Sequence, residues 1–282
     1  MAFPRPQAPQ DWLTQAWHIA AGRRLDPVAD AWLLGPIGEI GGIADRFVDK
    51  LAEREGLSIQ RSEPGSGLLE GFDAFPGVRE AVHPAIDQFY RHTSDYDFDV
   101  WSEWQPAFGG LGSLVARIFT RRIQQLNLPR RPLDTAWGVS SEIIVLRDSQ
   151  GARKYTIWFR RLKKTGEVIY SGVYADCVLP GGERCLKVVF PLPQGNATVV
   201  MRLRADDAGN LELLSHGRRC GEAGFYFVVQ DSSGKLWMNY LGSFQERIFV
   251  QVDPEGVLRA DHAMTVWNLR AYDLHYKLSR RR

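Results

Sequence analysis

The stretch VQVDPEGVLRA, residues 250–260, shows the pattern that decides the fold. Apolar residues alternate with polar ones up to Asp253, and the alternation resumes after Gly256. A D-x-x-G segment of this kind is typical of a β-hairpin whose type I turn ends in a glycine of positive φ that forms a bulge. The pattern recurs after residue 138 as DSQG at 148–151, DDAG at 206–209 and DSSG at 231–234, with the variant KKTG at 163–166.

Repeated hairpins of one kind predict an antiparallel meander over residues 138–282. Such a meander is expected to close into a lipocalin-like β-barrel or half-barrel of roughly eight to ten strands, which removes exposed edges. Residues 1–137 instead show helical periodicity, and we expect helices at 12–22, 37–56, 78–104 and 111–126. The predicted fold class is α+β: a helical segment or lid, 1–137, packs on the antiparallel barrel, 138–282, around one shared core.

Composition and charge exclude several classes of protein. The 282 residues are 44% hydrophobic and 24% charged, which excludes a disordered chain. A net charge of +2 gives no reason to expect nucleic-acid binding, and no apolar stretch is long enough to span a membrane. There is no signal-peptide pattern, and the three cysteines have no metal-ligand spacing, so we expect free thiols in a cytoplasmic protein.

Turn geometry also predicts which residues face each other across the last hairpin. Val252 should lie opposite Leu258, Ile248 opposite His262, and Glu246 opposite Met264. Glu246 and His262 then become diagonal neighbours on the apolar, inward face. A carboxylate beside an imidazole in an apolar cavity can act as a general acid/base pair, because burial and pairing tune both groups. The alternatives are a role in orienting a ligand and a purely structural pair.

The same register argument assigns faces in the other hairpins. It pairs Tyr226 with Tyr240 and continues the inward face from Met238 through Tyr240 to Phe244. In the first hairpins it places Ile143, Val145, Ile157, Phe159 and Val173 on one side, and Glu142, Trp158, Arg160, Tyr170 and Tyr174 on the other. The residues predicted to contact a ligand are Trp158, Arg160, Tyr226, Tyr240, Phe244 and Met264.

Two charged segments are further candidates. No acidic residue occurs between Trp104 and Leu133, and this interval contains Arg117, Arg121 and Arg122. Such a basic surface could take an anionic ligand, a partner protein or an anionic membrane, or be an ordinary solvated face. In the second segment, Asp95, Asp97 and Asp99 alternate with apolar residues but do not fit an EF-hand loop. No motif for a nucleophile, a metal or a cofactor is found, so no cofactor or metal is expected.

Parts of the sequence resemble known proteins. The segments FYRHT at 89–93, WSEW at 101–104 and QQLNLP at 124–129 are similar to uncharacterised bacterial proteins of similar length. The C-terminal half resembles lipocalin-like barrels in architecture, but the G-x-W signature of lipocalins is absent, so no site residues carry over.

Three functions fit these patterns. The first is binding of a hydrophobic or amphipathic small molecule, such as a lipid, an isoprenoid or a polyketide-like compound, in a barrel cavity. The second is a cofactor-free isomerase or cyclase that uses the Glu246 and His262 pair in that cavity. The third is partner binding or scaffolding through the arginine-rich helix.

Overall fold

A computed structural model describes residues 9–39, 45–105, 139–163, 166 and 168–281. Its helices are α1 (Pro9–Ala21), α2 (Asp45–Glu55), α3 (Pro76–Arg79) and α4 (Pro84–Arg91), with 3-10 turns at Ala31–Leu33 and Thr93–Asp95. None of the helices described has the length and apolar character needed to cross a membrane.

Strands make up nearly half of the part of the chain that the structure describes. In chain order they are β1 (Arg23–Arg24), β2 (Ser58–Arg61), β3 (Tyr96–Trp104), β4 (Val139–Arg147), β5 (Arg153–Leu162), β6 (Val168–Val178), β7 (Arg184–Leu192), β8 (Gly195–Ala205), β9 (Leu211–Leu214), β10 (Gly224–Gln230), β11 (Leu236–Tyr240), β12 (Phe244–Val252), β13 (Leu258–Val266) and β14 (Leu269–Arg280).

The turns between these strands form as the sequence predicts. The carboxylates of Asp148, Asp206, Asp231 and Asp253 each accept backbone N–H groups from the residues two and four positions ahead. The glycine that ends each of these turns has a φ between +77° and +82°. Side-chain and backbone geometry therefore both favour a tight turn at the D-x-x-G segments, and antiparallel pairing follows.

The strands form one large antiparallel sheet in the order β2-β4-β5-β6-β7-β8-β9-β12-β13-β14-β3. The sheet branches at β8, whose first half pairs with β10 and whose second half pairs with β9. The β10 branch continues through β11 to β1. The α+β class with a large antiparallel meander is confirmed.

The expected closure into a barrel is wrong, because the sheet remains open. In the described residues the two ends of this strand order are β2 and β3, and no strand ladder joins them. Strand β2 ends at Arg61, Ser62 follows with a φ of +52°, and the chain then crosses the gap between these two edges as a loop. In this loop the backbone N–H of Gly65 donates to Asp95 at 2.8 Å, and Ser66 accepts from the backbone of Ser94 at 2.9 Å.

The first part of the chain is less helical than expected. Residues 96–104 were predicted to be helical but form β3, in which buried Tyr96 and Phe98 alternate with exposed Asp97 and Asp99. The predicted helix 12–22 is observed as α1. The C-terminal half of the predicted helix 37–56 is observed as α2, and Gly56 follows it with a φ of +64°. The predicted helix 111–126 lies outside the described residues.

Both faces of the central strands are buried, which explains why β7 and β8 are apolar at consecutive positions. On the inner, concave face, α3 and α4 pack against residues from β3 to β14. On the outer face, α2 covers β4 to β7, and the segment around Trp32 and Leu33 covers β6, β8 and β10. The buried Lys187 of β7 anchors that segment, because its Nζ donates to the carbonyls of Trp32 and Leu34 at 2.9 and 2.8 Å.

Candidate functional site

Glu246 and His262 lie together on the inner face, as predicted. Glu246 pairs with Met264, and Ile248 pairs with His262, which makes the two polar residues diagonal neighbours on β12 and β13. The distance from His262 Nε2 to Glu246 Oε2 is 3.6 Å, and their side chains are only 14% and 12% exposed. The register derived from the D-x-x-G turn is confirmed at these positions.

The side chains of Glu246 and His262 are in contact but do not form a hydrogen bond with each other. A separation of 3.6 Å exceeds the 2.7–3.2 Å of an ordinary N–H···O bond, so the two groups are close without a direct hydrogen bond. Nε2 of His262 is buried and has no hydrogen-bond partner in the part of the chain that the structure describes. A buried ring nitrogen without a partner can meet a group that is not part of the protein.

Arg160 of β5 is the second charged residue on this face. The residue is only 5% exposed, although guanidinium groups are seldom fully buried without an acidic partner. Its guanidinium carbon lies 4.7 Å from the ring centre of Trp158, 5.2 Å from Tyr276, 5.3 Å from Phe98 and 5.9 Å from Tyr170. Cation–π attraction from these rings replaces part of the lost hydration.

Two tyrosine hydroxyls border the same space. The hydroxyl oxygens of Tyr170 and Tyr174 lie 2.7 Å apart, which is a hydrogen bond. Burial raises the pKa of both phenols well above the ordinary value, so both stay protonated and can donate. Gly172 lets the Tyr170 ring approach, because a Cβ at this position would lie 2.9 Å from that ring.

Arg160 and Glu246 face one shared space, although they come from strands far apart in the sheet. Beyond the effect of burial, the charge of Arg160 lowers the pKa of Tyr170 and the charge of Glu246 raises it, so both charges lie near this phenol. Tyr276 pairs with Ala260, two residues before His262, and its ring also contacts Arg160. We call Arg160, Tyr170, Tyr174, Glu246, His262 and Tyr276 the inner site.

The inner site occupies one end of the concave face. Arg160 is near the end of β5 and Glu246 is near the start of β12, which antiparallel pairing brings to the same end of the sheet. At the opposite end, His83 donates to the carbonyl of Gly209 in the β8–β9 turn, and α3 and α4 fill the space below the sheet. The helix α4 also borders the inner site, because the ring centre of its Phe89 lies 5.9 Å from that of Phe98, a ring that contacts Arg160.

Phe244, Met264 and Trp158 lie on the inner face as expected. Phe244 packs against Phe225, with 5.1 Å between ring centres, and Met264 packs with Tyr272. The indole N–H of Trp158 donates to the Ser141 hydroxyl at 2.8 Å, so this side chain offers mainly its ring to a ligand.

Tyr226 and Tyr240 were predicted on this face, and that placement is wrong. They do pair with each other, but they belong to the outer cluster, where Tyr226 is fully buried against Trp32. The hydroxyl of Tyr226 donates to the carbonyl of Glu222 and accepts from the N–H of Gly221. The prediction failed because β11 and β12 are in different branches of the sheet, so one alternation cannot run through both.

The faces assigned in the first hairpin also need correction. A bulge between Leu146 and Arg147 shifts the register by one residue, so that Ile143 pairs with Trp158. Ile143 and Val145 therefore lie on the inner face, and Glu142, opposite Phe159, does not. The grouping of Trp158, Arg160, Tyr170 and Tyr174 on one face holds.

Two residues that contact Arg160 were not predicted from the sequence. Phe98 was assigned to a helix, although the alternation of apolar residues in 96–104 was the signal of a strand. Tyr276 was not considered, although it alternates with the buried Leu274 and Leu278 along β14. Phe98 and Tyr276 lie in β3 and β14, the two strands at one end of the sheet order.

Other predicted sites give different outcomes. The basic cluster at Arg117, Arg121 and Arg122 lies outside the described residues. Within the described ranges, no group of three or more His, Cys, Asp or Glu could hold a metal ion. Asp97 and Asp99 are exposed on the edge strand β3.

The cysteines are free thiols in the structure. Cys177 and Cys185 face each other across β6 and β7, and burial raises the pKa of their thiols to about 11 and about 12. Cys220 is exposed. Raised pKa values disfavour the thiolate, which is the reactive form.

A separate cleft of about 580 Å³ opens on the outer side, lined by residues 35–39, Arg54, Glu55 and Tyr155. Its charges are already paired: Arg54 lies 3.6 Å from Glu39, and Lys154 lies 2.9 Å from Glu55. Unlike the inner site, it offers no charge that is buried without a partner.

Comparisons with protein families, with curated protein sequences and with solved structures find no match to this chain.

Proposed function

We propose that this protein binds a hydrophobic or amphipathic small molecule at the inner site. The observation that supports this is the partial exposure of aromatic rings on a concave face. Five aromatic side chains on this face each keep part of their surface accessible: Trp158, Tyr170, Tyr174, Phe244 and Tyr276. Accessible rings on a concave surface supply the apolar contact that small-molecule sites need.

The polar groups of the site support the same proposal. Small-molecule sites are mostly apolar and contain a few polar groups that orient the ligand. Here Arg160 and the pair of Glu246 and His262 are set among aromatic rings. Lipids, isoprenoids and polyketide-like compounds combine an apolar body with few polar groups, and they remain the ligand classes we propose.

A neutral solvatochromic dye such as Nile red tests this proposal by its fluorescence on titration with protein. We expect saturable binding, and Trp158→Leu should weaken it about five- to tenfold, because an aromatic contact contributes about 1 kcal/mol. The matched control is Trp267→Leu, since Trp267 is 72% exposed on the β13–β14 turn. Absence of saturable binding, or an equal effect of both substitutions, would contradict the proposal.

A second candidate is a cofactor-free isomerase or cyclase on the same site. It is favoured by the free Nε2 of His262 beside Glu246, which is the geometry of an acid/base pair. Glu246→Gln and His262→Ala that keep dye and substrate binding but abolish turnover would support an enzyme. Variants that keep binding and lose only stability would leave the pair with a structural role.

A further inference from the structure

Arg160 has an unusual environment for a guanidinium. In the described residues no carboxylate forms an ion pair with it and no group accepts a hydrogen bond from it, and its buried Nε has no partner. A guanidinium is always protonated in proteins, so its charge remains in this apolar space. Burying an unpaired charge is costly, and proteins rarely retain one without a role.

The surrounding rings do not satisfy all the hydrogen-bond donors of the guanidinium. Rings stacked on a guanidinium contact its faces, whereas its N–H groups point outward in its plane. The rings of Trp158, Phe98 and Tyr276 lie 4.7–5.3 Å from the guanidinium carbon, and among the described residues no oxygen or nitrogen atom accepts a hydrogen bond from Arg160. The N–H donors of Arg160 are thus available to an acceptor on a ligand.

We infer that Arg160 binds the carboxylate of an amphipathic ligand, with the apolar body of the ligand lying on the exposed rings of the inner site. This inference rests on the function proposed above. A carboxylate matches the planar fork of a guanidinium with two parallel hydrogen bonds. The Tyr170–Tyr174 pair has two O–H groups and uses one between them, so one remains to donate to the same anion.

The charges of the inner site favour a monoanion over a phosphate. Arg160 is the only permanent cation among the six residues of the inner site, which also contains the carboxylate of Glu246, 3.6 Å from His262. A dianion would add a second negative charge beside Glu246 without a second permanent cation among the six residues of the site. A monoanion matches the single guanidinium and adds the least negative charge beside Glu246.

The test compares ligands that differ only in the head group. Dodecanoic acid, dodecanol and dodecyl phosphate displace Nile red from the wild-type protein at a pH of about 8, where the acid is ionised. We expect the acid to bind at least about tenfold more tightly than the alcohol, which corresponds to about 1.4 kcal/mol, and more tightly than the phosphate.

Substitutions then assign this preference to one side chain. Arg160→Met should remove the preference for the acid and leave the binding of the alcohol and the dye unchanged. Arg160→Lys keeps the positive charge but not the planar, two-pronged set of N–H donors, so this variant should retain part of the preference for the acid. Arg161→Met is the matched control, because Arg161 is adjacent and stacks on Phe159 of the outer face. Dye binding by each variant shows that it is folded.

The outcomes separate the inference from the proposed function. Equal binding of acid and alcohol, or a preference that survives in Arg160→Met, overturns the role of Arg160 while dye binding still supports a small-molecule site. Tighter binding of the phosphate overturns the choice of a carboxylate. Failure of the dye and of all three ligands to bind the wild type overturns both.

Discussion

Asp231 provides a direct test of how the D-x-x-G turns hold the sheet together. The residue is buried, and both of its carboxylate oxygens accept hydrogen bonds. One oxygen accepts the backbone N–H groups of Ser233 and Lys235 and the Ser233 hydroxyl, and the other accepts the indole N–H of Trp237 at 2.9 Å. Asp148 occupies the same position in the β4–β5 turn, but it is only partly buried and uses only one oxygen, for two backbone N–H groups.

The change Asp→Asn should therefore have different effects in these two turns. Asparagine keeps one oxygen, which can still accept the two backbone N–H groups. At position 231 its NH2 would face the Trp237 indole N–H, so one charge-assisted bond is lost and a partly buried donor loses its acceptor. We expect Asp231→Asn to lower the free energy of unfolding by about 2 kcal/mol and Asp148→Asn by less than about 0.5 kcal/mol.

The pH dependence gives an independent estimate of the same effect. Burial by itself raises the pKa of Asp231, but the hydrogen bonds from Trp237, Ser233 and Lys235 outweigh it and lower the pKa from 3.8 to about 2. A depressed carboxylate pKa stabilises the folded state above the unfolded pKa, and this stability is lost as pH falls through the folded pKa. After allowance for solvent screening at a turn, the shift corresponds to about 1–2 kcal/mol.

Urea unfolding followed by far-UV circular dichroism measures both effects without relying on the fluorescence of Trp237. The difference between wild type and Asp231→Asn should be largest at a pH of about 7 and smaller at a pH of about 3, since the wild-type advantage is lost as Asp231 becomes protonated. Equal destabilisation by the two Asn variants would refute the role of the second oxygen. A difference that does not change with pH would refute the role of the charge.

Two further predictions concern buried groups on the outer face. At a pH of about 7, a maleimide should modify Cys220 but not Cys177 or Cys185 in the folded protein. Burial shields the thiols of Cys177 and Cys185 and raises their pKa. Mass spectrometry counts the adducts, and a second adduct per chain would contradict the prediction. Lys187→Met should lower the free energy of unfolding by about 2 kcal/mol, because the carbonyls of Trp32 and Leu34 lose their donor. The control Lys154→Met, at the surface, should change this free energy little, and the same urea titration measures both variants.

The hairpins were predictable because their turns are local. An Asp side chain that accepts N–H groups two and four residues ahead fixes the turn type within five residues, so the partners of Val252 and Ile248 followed by counting. The same counting failed at Leu146, where a bulge inserts one residue and reverses the faces. A bulge within a strand has no equally clear sequence signal.

Strand β3 was missed for a different reason. Tyr96, Phe98 and Val100 alternate with polar residues, but the segment follows a helical stretch closely and its only partner in the described residues, β14, lies more than 160 residues later in the chain. Local propensity cannot report such a long-range pairing, which depends on packing against neighbours. The strand supplies Phe98 to the inner site, so this error also hid a contact of Arg160.

The two tyrosines placed on the wrong face show what the apolar pattern leaves undetermined. When both faces of a sheet are buried, alternation separates the faces but does not identify the concave one. Tyr226 and Phe225 are equally apolar neighbours, and they pack on opposite sides of β10. Polar residues that interrupt an apolar face are more informative, because burial without partners is costly and needs a reason. Glu246, His262 and Arg160 stood out in the sequence on this ground, and the structure brings these three residues to the same end of the concave face.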